Sequence, residues 1–318
     1  MNILIICGET SANFYGAKLA IALKDAHHTP YSFGDHVLAK ESIQLLSLDT
    51  SLYSVNGSWS LTPAFLKSIK LILQKPPTVF DKAVIVDFSG YNFKVAKILQ
   101  AHNIPIVTFI TPNFWLWNHV KLANKLIQYS EQVITIFKKE FAFYEQFSSK
   151  KIVYLGHPLS LDISPDSADS SEKLIGVFPG SRRSEISHHL PQMAAIIHQF
   201  DDQSCFAIFC SNLDLHDLIR AILKRYDLEF IPIYIEDSIP LQYAITAPGT
   251  NTLKLALRQI PQTIIGQLSY WIYFIGKYIL RIKLNYIGLP NMIVNHMACP
   301  EYIQSRSFSA IGDEIKAI

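Results

Sequence analysis

Leu174-Ile175-Gly176-Val177-Phe178-Pro179-Gly180-Ser181-Arg182-Arg183-Ser184-Glu185-Ile186 reads as a buried strand, a glycine turn and the start of a helix. An unbroken apolar run of five residues, with no polar alternation, suits a strand covered on both faces, as in a parallel sheet. Gly180 lets the backbone come close to a phosphate, and the unpaired amides of the following helix start point at it. Arg182 or Arg183 can add paired, charge-assisted hydrogen bonds. A solvated basic turn is the plainer alternative.

Reading outward, the same rhythm recurs on both sides. Downstream, Cys205–Phe209, Glu229–Ile233, Tyr243–Thr246 and Gln262–Ile265 read as strands, with Glu185–Phe200 and Leu213–Tyr226 as helices between them. Upstream, Asn2–Cys7, Ala83–Asp87, Ile104–Ile110 and Gln132–Ile136 read as buried strands, each followed by a helix-period stretch. Alternating strands and helices make βαβ units and a parallel sheet. Ser160–Glu172 is rich in Ser and Asp and has little to bury, so it reads as an exposed connector. The expected fold is α/β, with two Rossmann-like parallel-sheet domains facing a cleft: 1–159 holding the acceptor and 160–318 holding a nucleotide sugar. Ligands in such sheets bind outside the carboxyl ends of the strands, so functional residues are expected just after strands.

The 318 residues are 49% hydrophobic and 17% charged, enough apolar matter for two ordinary cores. A formal net charge of +2 gives no polyelectrolyte signature and no case for nucleic-acid binding. The four cysteines form no C-x-x-C pair and have no histidines at zinc-ligand spacing, so neither a metal site nor a disulfide framework is expected. Reduced thiols, and a start that leads straight into a strand without a charged leader, point to the cytoplasm. Leu268–Ile287 approaches spanning length, but Lys277, Arg281 and Lys283 lie in its second half and argue against a transmembrane helix. At 100° per residue, Tyr270, Tyr273, Lys277 and Arg281 share one face of 268–282, and Leu268, Ile272, Ile275, Ile279 and Ile282 share the other. Such a helix can lie in a membrane interface, or pack on the sheet.

Three further strand ends carry polar or aromatic clusters. Gly8-Glu9-Thr10-Ser11-Ala12-Asn13 forms a strand–loop–helix entry, suited to a hydroxyl-rich or anionic ligand, or to capping by Thr10 or Ser11. It contains no G-x-G-x-x-G, which weakens a dinucleotide reading. Asp87 ends an apolar strand at the lip of the sheet, where partial burial raises a carboxylate towards the range of a useful base; it could equally cap the turn. Thr111-Pro112-Asn113-Phe114-Trp115-Leu116-Trp117 offers rings for stacking on a sugar or for the core. In the second half, Ala247-Pro248-Gly249-Thr250-Asn251-Thr252 repeats the glycine-turn device, and two such turns suggest a nucleotide diphosphate. Asn291, in Leu289-Pro290-Asn291, could meet the same ligand or simply form a turn.

In order, GETSAN, VDFSGYNF, TPNFWLW, LGHPL, FPGSRRSEI, PGTNTLKLAL and GLPNMIVN resemble the lipid-A-disaccharide synthase family, inverting glycosyltransferases of the GT-B fold, from Met1 to about Gln304. The resemblance implies transfer of 2,3-diacylglucosamine from its UDP donor to 2,3-diacylglucosamine 1-phosphate (lipid X), with release of UDP and with no metal or other cofactor. It implies that Asp87 and Glu9 are catalytic, Asp87 as the general base, both on the acceptor side. It implies that Gly180, Ser181, Arg182, Gly249, Thr250 and Asn291 hold the donor. A place on the cytoplasmic face of the inner membrane follows, with peripheral contact through Leu268–Ile282 and self-association as a homodimer left open.

Three departures stand against that pattern. Ala12 and Asn13 occupy positions usually glycine and aspartate, which removes a carboxylate from the presumed acceptor side. Lys254 stands where the family carries a glutamate suited to a ribose hydroxyl, and a lysine cannot accept that proton. After Gln304 only Ser305 to Ile318 follow, where the family continues with helices completing the second domain. A shortened end is expected to expose apolar surface. A non-catalytic binder of nucleotide sugar or lipid, or a UDP-sugar epimerase on the same fold, are the competing readings.

Overall fold

The computed structural model describes residues 1–8, 10–47, 58–76, 78–87, 92–116, 118–161, 174–210, 213–235, 239–266, 286–303 and 308–316. The chain forms two compact units, Met1–Pro158 and Leu159–Ile318.

In the first unit, seven strands form one sheet: β1 (Asn2–Cys7), β2 (Thr29–Gly34), β3 (Ile43–Ser47), β4 (Lys82–Val86), β5 (Ile106–Phe109), β6 (Gln132–Thr135) and β7 (Ile152–Tyr154), in the order 3-2-1-4-5-6-7. All pairings are parallel. Its helices are α1 (Thr10–Asp25), α2 (His36–Ala39), α3 (Ser58–Gln74), α4 (Asn92–Ala101), α5 (Val120–Tyr129) and α6 (Lys138–Glu145). Leu4, Ile6 and Ile85 from the strands meet Ile69, Val95 and Leu99 from the helices in one core. The central strands are apolar throughout because helices cover both faces. Asp35 caps α2, accepting from the Val37 N–H at 2.8 Å, a contact worth about 1 kcal/mol.

The second unit repeats the plan: β8 (Ile175–Phe178), β9 (Phe206–Phe209), β10 (Ile233–Tyr234), β11 (Tyr243–Thr246), β12 (Gln262–Gly266) and β13 (Glu301–Ile303), ordered 10-9-8-11-12-13, again all parallel. Its helices are α7 (Arg183–Ile197), α8 (His216–Lys224), α9 (Thr250–Leu257), α10 (Leu289–Val294) and α11 (Phe308–Lys316). Val177, Ile208 and Ile245 pack with Ile186, Leu190 and Ile219. Ile311 and Ile315 of α11 are buried in the same core.

The expected strands form within one or two residues of their anticipated ends, except Glu229–Ile233. There the strand is only Ile233–Tyr234. Pro232 has no N–H to give a ladder, the Ile231 N–H turns back to Leu228 O at 3.1 Å, and the Arg220 guanidinium clamps the Glu229 carbonyl. Residues 162–173, which take in most of the 160–172 connector, the stretch 267–285 with the amphipathic segment 268–282, Glu9 and Trp117 lie outside the described residues. Among the described residues no helix is long and apolar enough to cross a membrane.

Candidate functional site

Both sheets reverse strand order beside their first strand, and ligands of such sheets collect at that reversal. In the first unit it falls between β1 and β4, where Cys7 pairs with Val86. Asp87 follows Val86 directly, as the first-loop residues follow Cys7. In the second unit it falls between β8 and β11, where Phe178 pairs with Thr246 and the Ala247 N–H donates to Phe178 O at 2.8 Å. The Gly180 and Gly249 turns therefore emerge side by side.

Asp87 is half-buried, with φ 33, and Ile110, which closes β5, has φ 63. The left-handed region is uncommon for aspartate and an outlier for a β-branched residue, each costing about 1–3 kcal/mol. Neighbouring strand ends hold both: the Asp87 N–H is shared by Phe109 O and Ile110 O at 3.2 Å, and the Ile110 N–H reaches Ile134 O at 3.2 Å. The Asp87 charge is felt by two buried groups. The Cys7 thiol is pushed well up by burial, then by Asp35 and Asp87. The Tyr15 hydroxyl is pushed up by burial, then by Asp87. Asp87 thus stands half-buried at the strand end, near the Cys7 thiol and the Tyr15 hydroxyl.

Ala12 and Asn13 are fully buried. Asn13 Oδ1 accepts the Asp35 N–H at 2.8 Å, so this departure alters an internal acceptor between α1 and the turn after β2.

The 111–117 segment divides. Phe114 is buried and stacks on Phe93 at 6.0 Å, whereas Trp115 is half-buried against Phe137 at 5.9 Å. Behind them lies Glu140, buried and not anticipated. Its carboxylate accepts from Thr111 N (3.3 Å) and Thr111 Oγ1, and from Ile136 N (2.7 Å) and Phe137 N (3.1 Å). Burial raises its pKa, and these hydrogen bonds oppose the rise. His157, in the 155–159 motif, sits between Tyr15 (5.7 Å) and Phe137 (5.3 Å), and burial lowers its pKa to about 4. Its ring is neutral at neutral pH.

In the second unit, Gly180 has φ 120, and a Cβ there would meet Glu185 Oε2 at 2.8 Å. Glu185 folds back over the turn, its Oε2 accepting from Ser181 N (2.9 Å) and Arg182 N (3.2 Å) while Oε1 pairs with Arg182 Nη1 at 2.8 Å. The turn thus already holds an anion, the chain's own carboxylate, which is what its amides and the helix dipole favour. The spacing of Glu185 three residues after the N-cap Arg182 was the available signal. Arg183 reaches Asp214 O only at 3.5 Å.

Gly249 has φ 151 with open space where a Cβ would lie, and its carbonyl accepts from Thr252 N (3.1 Å) and Thr252 Oγ1 (2.7 Å). The Gly249–Thr250 peptide is planar and trans, so with the carbonyl turned into α9 the Thr250 N–H points the opposite way. Lys254 is half-buried on α9. Asn291 is buried and internally committed: Nδ2 donates to Cys299 O (2.8 Å) and Glu301 Oε2 (2.9 Å), and Oδ1 accepts from Ala298 N (2.8 Å) and Cys299 N (2.9 Å). Its side chain orders the loop around it.

The sequence pattern of the lipid-A-disaccharide synthetase family matches residues 3–315. The chain is 27% identical to the lipid-A-disaccharide synthase of Geobacter sulfurreducens, covering 99% of this chain and 86% of that protein. It is 26% identical to that of Coxiella burnetii (strain Dugway 5J108-111), covering 99% and 88%. Among solved structures, a Methanocaldococcus jannaschii UDP-GlcNAc 2-epimerase, in complex with UDP-GlcNAc and UDP, superposes with a TM-score of 0.63 at 11% identity, covering 100% of this chain and 92% of that one. Acinetobacter baumannii MurG gives 0.54 at 10%, covering 99% and 90%. These structural likenesses carry the fold, which is of the GT-B class. The motif order, the two switch points and the match across nearly the whole length lead to one assignment: the chain belongs to the lipid-A-disaccharide synthetase family, glycosyltransferases of lipid A biosynthesis.

Proposed function

We propose that the chain transfers 2,3-diacylglucosamine from its UDP donor to lipid X and releases UDP. The observation that carries this reading is the meeting of the Gly180 and Gly249 turns at the reversal between β8 and β11. Two adjacent turns, each opening a helix, suit two adjacent phosphates. Arg182 and the helix-start amides take up the charge of the departing UDP, and Glu185 yields the Ser181 and Arg182 amides to the phosphate.

At the acceptor, Asp87 takes the hydroxyl proton as that oxygen attacks the anomeric carbon from the face opposite UDP, and Glu9 is the second catalytic candidate. The half-buried place of Asp87 at the end of β4, beside the strand reversal, supports this role. Both substrates carry acyl chains, and contact of 268–282 with the cytoplasmic face of an anionic membrane brings the enzyme to them; sedimentation with anionic vesicles checks this contact. Lys254 favours the competing reading, a binder that transfers nothing.

The test is UDP release when purified protein meets both acylated substrates. Asp87→Asn keeps the shape but removes the base, so kcat falls by about 10²–10⁴ while UDP binding stays nearly constant. A chain that binds UDP but never releases it from the donor is the binder, and full activity in Asp87→Asn would move the base to Glu9.

A further inference from the structure

Behind the donor turns of the second unit, three polar side chains join segments far apart in sequence. Thr252 is fully buried. Its Oγ1 donates to Gly249 O at 2.7 Å and accepts the Leu289 N–H at 3.3 Å, so one hydroxyl bridges the turn after β11 and the turn that opens α10. From β13, Glu301 accepts the Ile287 N–H on Oε1, and on Oε2 the Gly288 N–H at 3.0 Å and Asn291 Nδ2 at 2.9 Å. Gln262 Nε2 holds Thr252 O at 2.8 Å from below. A Cβ on Gly288 would come within 3.1 Å of Glu301 Oε2 as well as striking Ile264, so the loop has no room to move inward.

These contacts form one chain of links, from β13 through Glu301 to the 287–289 backbone, and from Leu289 through Thr252 to the Gly249 carbonyl. We propose that Thr252 and Glu301 are positioning residues for the donor. Through the Gly249 carbonyl they fix the plane of the Gly249–Thr250 peptide, and so aim the Thr250 N–H outward as a preset phosphate donor. An isolated glycine at φ 151 is free to rotate this peptide; the hydroxyl behind it removes that freedom before ligand arrives. The proposal rests on the reading of these turns as the UDP-donor site.

Calorimetry with UDP on the full chain tests it, beside a melting curve for each variant. Thr252→Val matches the shape but deletes the hydroxyl, and Glu301→Gln replaces an acceptor oxygen facing two N–H groups with an amide. Each is expected to weaken UDP binding by about tenfold, the worth of one well-placed hydrogen bond. Thr252→Ser restores the hydroxyl and recovers most of the affinity. Because both changes cut the same chain of links, the double variant Thr252→Val with Glu301→Gln binds UDP no more weakly than about the worse single.

UDP affinity unchanged in folded Thr252→Val and Glu301→Gln overturns the inference alone. So does a common loss of melting temperature and affinity that Thr252→Ser fails to recover, or additive losses in the double variant. Absence of UDP binding by the unaltered chain overturns the donor reading and the inference with it.

Discussion

Arg182 and Glu185 divide one turn between them, and the sequence motif announced only half of that. The strand, the Gly180 turn and the helix start at Arg183 were legible from the glycine set between an apolar run and a helical stretch. That Glu185 already occupies the amides went unread, although its place three residues after the N-cap is the capping-box spacing. Arg182→Ala removes a charge-assisted contact of about 1.5–3 kcal/mol and leaves Glu185 uncompensated, so UDP affinity drops at least tenfold, and adding Glu185→Gln regains part of it. Unchanged affinity by calorimetry in Arg182→Ala takes that residue out of the site. Asn291, expected to help hold the donor or to form a turn, is buried and bonded to the loop before β13. His157 carries a pH dependence. Its folded pKa of about 4 lies below the ordinary 6.5. Between those values the unfolded chain binds the extra proton, so stability is complete above about pH 6.5 and is lost as pH falls towards 4. Glu140, raised by burial, acts in the opposite sense. The melting temperature of His157→Gln minus that of the unaltered protein therefore rises as pH is lowered from 7 to 4, and a constant difference refutes the assignment.

Among elements, the strands found from sequence were those whose two neighbours make them apolar on both faces, such as β1, β4 and β8. Those missed lack that signature. β3 and β13 lie at sheet edges with half-exposed residues, β7 is an edge of three, and β2 carries Pro30 and a buried Ser32 whose hydroxyl bonds Ser42 at 2.8 Å. Pattern reading rewards hydrophobic runs, and edge strands do not need them. The link between the ends of β5 and β6 was equally hidden, because Glu140 looks like any glutamate in a first helical turn. Glu140→Ala leaves buried donors at Thr111, Ile136 and Phe137 unpaired and costs at least about 2 kcal/mol locally. Hydrogen exchange at these amides speeds up while amides in β8 and β11 stay protected; unchanged protection means the carboxylate is not the staple.

At the scale of the molecule, the same order of six strands appears twice without shared sequence, the first sheet adding β7 at its edge, and each reversal gathers its own unit's candidate residues: Asp87 and the first loop in one, the two glycine turns in the other. This repetition was readable from the strand rhythm, because topology follows from connecting parallel strands through helices of one hand. The two units also have separate cores, Leu4 to Ile106 in one and Ile175 to Ile315 in the other. The contacts of Glu185, Thr252 and Glu301 around the Gly180 and Gly249 turns lie within the second unit. A fragment of residues 159–318 is therefore expected to fold alone and to bind UDP within about tenfold of the full chain, the residual loss reflecting one or two hydrogen bonds contributed from elsewhere. Calorimetry on the fragment decides the matter. A folded fragment, shown by a cooperative melt, that binds UDP hundreds of times more weakly would mean that the first unit supplies a principal donor contact, and the division of labour between the two switch points would have to be redrawn.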